Sequence, residues 1–109
     1  MTFSEFEIRA LLTRTKAAYD AGLAYSALGL AGEAGEFCDQ VKRVARDDRG
    51  ELTEERAAKL KLELGDVLWY AADAADKLGV SLDDIAEGVL QKLRDRQQRG
   101  KLHGEGDKR

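Results

Sequence analysis

Apolar residues recur along this chain at the three- and four-residue spacing of amphipathic helices. Phe6, Ala10, Leu11, Ala17 and Ala18 form the first such face, which predicts a helix opened by the capping-box pair Ser4 and Glu7 and ended between Asp20 and Gly22. Leu30, Ala34, Phe37, Val41 and Val44 predict a second helix over about 24–47, broken by the polar turn Asp47-Asp48-Arg49-Gly50. Thr53 then caps a third helix, with Leu60, Leu64, Val67, Leu68 and Ala71 as its stripe and Gly79 as its stop. Ser81 and Asp84 open a fourth, whose Leu82, Ile85, Ala86, Val89, Leu90 and Leu93 continue toward Gln98. Four helices joined by short turns predict an all-α four-helix bundle over residues 1–100. The glycine-rich basic segment 101–109 reads as a flexible tail.

Composition agrees, since the chain has no proline and is dominated by Ala, Leu, Glu, Lys and Arg. With 109 residues there is room for one domain, and 3 Phe, 3 Tyr and 1 Trp leave little bulk to fill a core. Self-association into a homodimer or homotetramer is therefore expected, with Ala71, Ala72, Ala74 and Ala75 offering a surface for close helix packing. A net charge of -3 argues against a general nucleic-acid binder. Positive charge is instead concentrated in residues 92–109, where seven basic residues face three acidic ones. The single cysteine, Cys38, rules out an intrachain disulfide, and the sequence shows neither a signal segment nor a membrane span, so a cytoplasmic location is expected.

The candidate chemistry lies in a short repeat, Glu33-Ala34-Gly35-Glu36 and Glu63-Leu64-Gly65-Asp66, which shares the pattern E-x-G-[ED]. At roughly 100° per residue, each pair of acids flanks the apolar stripe of its helix, so two antiparallel helices could bring four carboxylates together. Carboxylates at such spacing repel one another, and a cation would relieve the repulsion. An all-oxygen donor set suits Mg²⁺, with Mn²⁺ as a substitute, and Mg²⁺ commonly binds through carboxylates plus substrate phosphates. The plain alternative is a solvated helix flank. Gly29, Gly32, Gly35 and Gly65 sit inside predicted helices at a cost of about 1 kcal/mol each, which close helix approach would offset. On the fourth helix Lys92, Arg96 and Arg99 form a cationic ridge suited to phosphate oxygens, with a solvated exterior as the alternative. Tyr70 lies one turn after Asp66, and Trp69 adjoins it, so both are candidates to flank a nucleobase, although a lone Trp also commonly fills a core. His103 is the only histidine, which excludes a histidine-containing di-iron site of the ferritin type.

The segments GLAGEAGEFCDQVKR at 29–43 and ELGDVLWYAADAADKLGVSLDDIAEGVLQKLRDRQQRG at 63–100 resemble the all-α nucleoside triphosphate pyrophosphohydrolases of the MazG-like superfamily. The resemblance implies that Glu33, Glu36, Glu63 and Asp66 bind Mg²⁺ and that a (d)NTP is converted to the monophosphate and pyrophosphate, as in clearing aberrant nucleotides. It implies that Lys92 contacts substrate phosphates, with Arg96 and Arg99 beside it, and that Tyr70 lies near the substrate. Glu36 is the acid expected to act on the attacking water. One position departs from the pattern: relatives often carry asparagine three residues before the fourth-helix lysine, and this chain has Val89. Two other readings remain open, a phosphoribosyl-ATP pyrophosphohydrolase-like enzyme on a dedicated metabolite and a non-catalytic helical regulator that binds nucleotide or a partner.

Overall fold

A computed structural model describes residues 1–101, 103–104 and 106–107, and among these the chain is all-α. It contains α1 (Phe3–Leu11), α2 (Lys16–Asp20), α3 (Gly22–Asp47), α4 (Glu54–Lys77) and α5 (Leu82–Gln98). Of the tail expected at 101–109, Leu102, Glu105, Lys108 and Arg109 lie outside the described residues. No helix among the described residues is long and apolar enough to cross a membrane.

The expected first helix is two helices. Threonine hydroxyls compete with the helical ladder for nearby backbone groups, and here they interrupt it. Thr13 Oγ1 donates to the Ala10 carbonyl at 2.6 Å, and Thr15, in extended conformation, accepts from the Ala18 amide as the N-cap of α2. Ser4 and Glu7 do not form the expected capping box, because Thr2 caps α1. Both instead reach the start of α5: Ser4 donates to Asp83, and the Glu7 carboxylate accepts from the Leu82 amide. The caps expected for the later helices are present, Thr53 on α4 and a full Ser81–Asp84 capping box on α5. Between α3 and α4, Arg49 and Gly50 both take positive φ, and the Gly50 amide returns to the Val44 carbonyl at 2.9 Å, satisfying an end carbonyl of α3.

The antiparallel α3–α4 hairpin is the spine of the molecule. Its register is set by polar and small residues and not by the leucine stripes. Lys77 Nζ donates to the Gly22 carbonyl at 3.0 Å, Ser26 Oγ donates to Asp73 at 2.6 Å, and the Tyr70 ring occupies the space where a Cβ on residue 29 would lie, 2.0 Å from it at the closest. Each step forward along α3 is matched by an equal step back along α4, four residues, then three. The expected core stripes are covered only in part: Phe37, Val44, Leu60, Val67 and Ala71 are half-buried, and the rest stay open. Leu64 is 53% exposed and Val41 46%, and Leu28 and Leu62 are more exposed still. The α5 stripe is likewise open apart from Leu82, which packs with Phe6 and Ala71 on Ala72 and Ala75. The small alanines therefore serve a contact within the chain. The Cα radius of gyration is 16.7 Å, well above the about 13 Å of a compact domain near this size.

At the open end of the hairpin, away from the 48–53 turn, Asp73 is fully buried. Its carboxylate accepts from Ser26 Oγ, Lys77 Nζ at 2.9 Å and Arg14 at 2.9 Å, and the Arg14 guanidinium also reaches Asp76. Burial pushes the Asp73 carboxyl up, but the hydrogen bonds from Ser26, Lys77 and Arg14 outweigh it and hold the group below its ordinary value. Nothing in the apolar periodicity pointed to this cluster. Because the folded carboxyl is depressed, its contribution is present above the unfolded-state pKa and is lost as pH falls through the folded one. Asp73→Ala, which leaves two buried cations without their anion, should cost about 3 kcal/mol or more in denaturant unfolding. It should also flatten the acid limb of the wild-type stability curve.

Candidate active site

The register that pairs Ser26 with Asp73 and Gly29 with Tyr70 continues along the hairpin. Four residues on, Glu33 comes level with Asp66, and three further, Glu36 falls level with Glu63, whose carboxylate meets that of Glu33. Three of these four acids come together: Glu33, Glu63 and Asp66 each offer a carboxylate oxygen, all within 4.8 Å of one another. Glu36, one turn along α3, is exposed and outside this trio, although its charge still acts on Glu33. Burial is the first cause that raises the Glu33 carboxyl above its ordinary value, followed by the charge of Asp66 and a hydrogen bond shared with Glu63. Such a cluster holds its negative charge at a cost that a divalent cation would remove. Its donors are oxygen alone, the set that hard cations such as Mg²⁺ and Mn²⁺ prefer.

Among the four helical glycines expected to narrow the gap, Gly29 alone does so, accommodating Tyr70. A Cβ at Gly32, Gly35 or Gly65 would meet nothing within 4 Å in the chain. Tyr70 lies 6.0 Å from Tyr25 and 5.0 Å from Trp69, centroid to centroid. A hydrogen bond with Tyr25 is the main reason the Tyr70 phenol is raised, with burial next and the charges of Glu33 and Asp66 adding to it. Together with Thr13, Thr15 and Ala18, these three rings and the carboxylates of Glu33 and Asp66 line a cleft of about 330 Å³. Carboxylates for a cation thus open onto a partly aromatic recess.

These features coincide with a family pattern. The family model of the MazG nucleotide pyrophosphohydrolase domain matches residues 24–100, the segment that carries α3, α4 and α5. The chain belongs to the MazG nucleotide pyrophosphohydrolase family. It is 46% identical over 88 residues to "Gene 37 protein" of Mycobacterium phage L5, a match spanning 81% of this chain and 77% of the relative. No solved structure matches it.

Within this MazG domain the sequence candidates, Glu36 apart, fall into two groups. Glu33, Glu63, Asp66, Trp69 and Tyr70 gather at or beside the cleft. The Trp69 indole N–H is occupied, donating to the Ala10 carbonyl at 3.1 Å and to Thr13 Oγ1 at 2.9 Å, so the residue fixes the α1–α2 connector while its ring lines the recess. Lys92, Arg96 and Arg99 do not line this cleft within the chain. Lys92 and the buried Arg96 both hold the Asp107 carboxylate, at 3.0 and 3.2 Å, and Arg99 pairs with Asp95. Lys92 and then Arg96 draw the Asp107 carboxyl below its ordinary value. Sequence reading missed Thr13, Thr15, Ala18 and Tyr25, which also line the cleft. Tyr25 had a signal, because Tyr25, Gly29 and Glu33 follow one another at four-residue spacing on α3. The connector residues had none, since a continuous first helix was expected there.

Glu33→Gln should raise the Tm of the metal-free protein by relieving repulsion, and should abolish the further rise on adding Mn²⁺; thermal unfolding with and without the ion checks both. The sign follows from the raised Glu33 carboxyl, whose stabilising protonation is lost as pH rises through its folded pKa. Metal-free wild type should therefore lose stability across that interval more steeply than Glu33→Gln.

Proposed function

We propose that this chain is a cytoplasmic, Mg²⁺-dependent nucleoside triphosphate pyrophosphohydrolase, converting a (d)NTP to the (d)NMP and pyrophosphate, with nucleotide-pool house-cleaning as its role. The observation that carries this reading is the Glu33, Glu63 and Asp66 trio opening onto the aromatic cleft, inside the segment matched by the MazG domain. The trio would hold the divalent cation, with Mn²⁺ as a substitute for Mg²⁺. When bound, the cation neutralises triphosphate charge and polarises the phosphoryl group under attack.

The protein's own groups supply the rest. Glu36, exposed at the edge of the trio, accepts a proton from water as the water oxygen bonds to the α-phosphorus; the bond from that phosphorus to the α–β bridging oxygen breaks, and pyrophosphate leaves with the electron pair. Tyr70 and Trp69 flank the nucleoside half of the substrate in the cleft. Lys92, Arg96 and Arg99 act as the phosphate grip, with Asp107 giving up its place on the first two to phosphate oxygens of the same charge sign.

We also infer that the working form is a homodimer or homotetramer. The many exposed leucines of α3, α4 and α5, together with the extended shape, support this, since a monomer of this size rarely leaves so many large apolar side chains in water.

Pyrophosphate release from a panel of standard and modified (d)NTPs tests the reading. Wild type should release pyrophosphate and the matching monophosphate only with Mg²⁺ or Mn²⁺, and Glu63→Ala should lower kcat by about a hundredfold or more. A folded protein that releases none from any member of the panel would overturn it.

A further inference from the structure

The cleft's hydroxyl and indole groups can be taken one by one, because each hydrogen has one bond to give. The Thr13 hydroxyl donates to the Ala10 carbonyl at 2.6 Å, and its oxygen receives the Trp69 N–H. That N–H is thereby used, shared with the same carbonyl. The Tyr25 and Tyr70 rings stand 6.0 Å apart, centroid to centroid, and whichever hydroxyl of the pair donates to the other, one proton of the two is left over. Thr15 caps α2 through its oxygen, which accepts from the Ala18 amide at 3.1 Å, and this too leaves the hydroxyl proton unspent. The carboxylates of Glu33 and Asp66 are acceptors. Among the side chains lining the cleft, Thr15 and the Tyr25–Tyr70 pair, of which Tyr70 is already placed against the nucleoside, therefore hold the donors still available to a ligand.

Thr15 is also held in place on both sides. Arg14, the residue before it, bridges Asp73 and Asp76 at 2.9 Å each, with its guanidinium 4.8 Å from the centre of the Tyr19 ring. On the upstream side Trp69 grips the Ala10 carbonyl and Thr13, and on the downstream side Lys77 donates to the Ala18 carbonyl at 2.9 Å. Ordering a connector with this many side chains costs conformational entropy, and the result is a hydroxyl fixed relative to α4, the helix that carries Glu63 and Asp66.

We infer that Thr15 and Tyr25 donate hydrogen bonds to acceptor atoms on the sugar and base half of the bound nucleotide, and that Arg14 is the positioning residue for Thr15. The inference rests on the nucleotide reading above and adds to it the residues that discriminate among nucleosides. Asn or Asp would cap α2 as well as threonine does, so the cap by itself does not account for a hydroxyl at this position.

The test is equilibrium binding of the standard (d)NTPs in Ca²⁺, used to suppress turnover, set beside binding of pyrophosphate and of Mn²⁺ alone. Thr15→Val and Tyr25→Phe should each weaken the preferred nucleotide about tenfold and narrow the spread of affinities across the panel, leaving pyrophosphate and Mn²⁺ binding unchanged. Thr15→Ser, which keeps cap and donor, should bind as wild type does. For Arg14→Met, KM for the nucleotide should rise severalfold with little change in kcat, and Arg14→Lys, able to recover one of the two carboxylate contacts, should fall between. Nucleotide binding that neither Thr15→Val nor Tyr25→Phe weakens overturns the inference alone. So does a parallel loss of nucleotide, pyrophosphate and Mn²⁺ binding, which would mark a general effect on the fold, and an Arg14→Met variant that loses Tm at unchanged KM removes the positioning role. Wild type that binds no nucleotide overturns the functional reading, and this one with it.

Discussion

A carboxylate with no access to water must be matched by cations and hydrogen bonds, and the buried Asp73 imposes that requirement on this molecule. Ser26 from α3, Lys77 one turn further along α4 and Arg14 from the α1–α2 connector meet it together. Satisfying one side chain thus joins three segments. It also sets the hairpin's register, since Ser26 opposite Asp73 places Gly29 opposite Tyr70, and further along Glu33 opposite Asp66. The acidic trio is a consequence of a polar lock two to three helical turns away.

Lock and trio use the same chemistry with opposite results. Around Asp73 the charges are compensated, and the carboxyl is held below its ordinary value. Around Glu33 they are not, and burial with neighbouring acids raises the carboxyl. A stable open end of the hairpin therefore holds together a middle section under electrostatic strain that a cation would relieve, as expected where function is built at some cost to stability. The cleft lies between the two, with its aromatic rings close to both.

The α1–α2 connector links this frame to the recess. Two threonines interrupt the ladder, and the short segment between the helices is held to α4 by indole, guanidinium and ammonium donors. Rigid attachment of a non-helical segment is the arrangement by which loops present functional groups with precision. Meanwhile Leu28, Leu62 and Leu64 on the long helices point away from the intrachain contacts.

Helical class, the capped starts of α4 and α5, the turn at 47–50 and the pairing of E-x-G-[ED] motifs were all legible in the sequence, because each depends on neighbours within a few residues. Local periodicity also marked the apolar stripes, of which the chain half-buries Phe37, Val44, Leu60 and Val67 and leaves Leu64 and Val41 open. Hydrophobic spacing shows that a face seeks cover without showing what covers it. Only the tertiary structure decided that α3 and α4 meet along Ser26, Gly29 and Glu33, that Glu36 stands outside the trio, and that Ser4 and Glu7 serve α5 in place of α1. The same holds for Thr13 and Thr15, whose value to the cleft depends on Asp73 and Trp69, more than fifty residues along the chain. Contacts at that separation follow from packing in three dimensions, where a single buried charge can outweigh the periodicity of a whole helix.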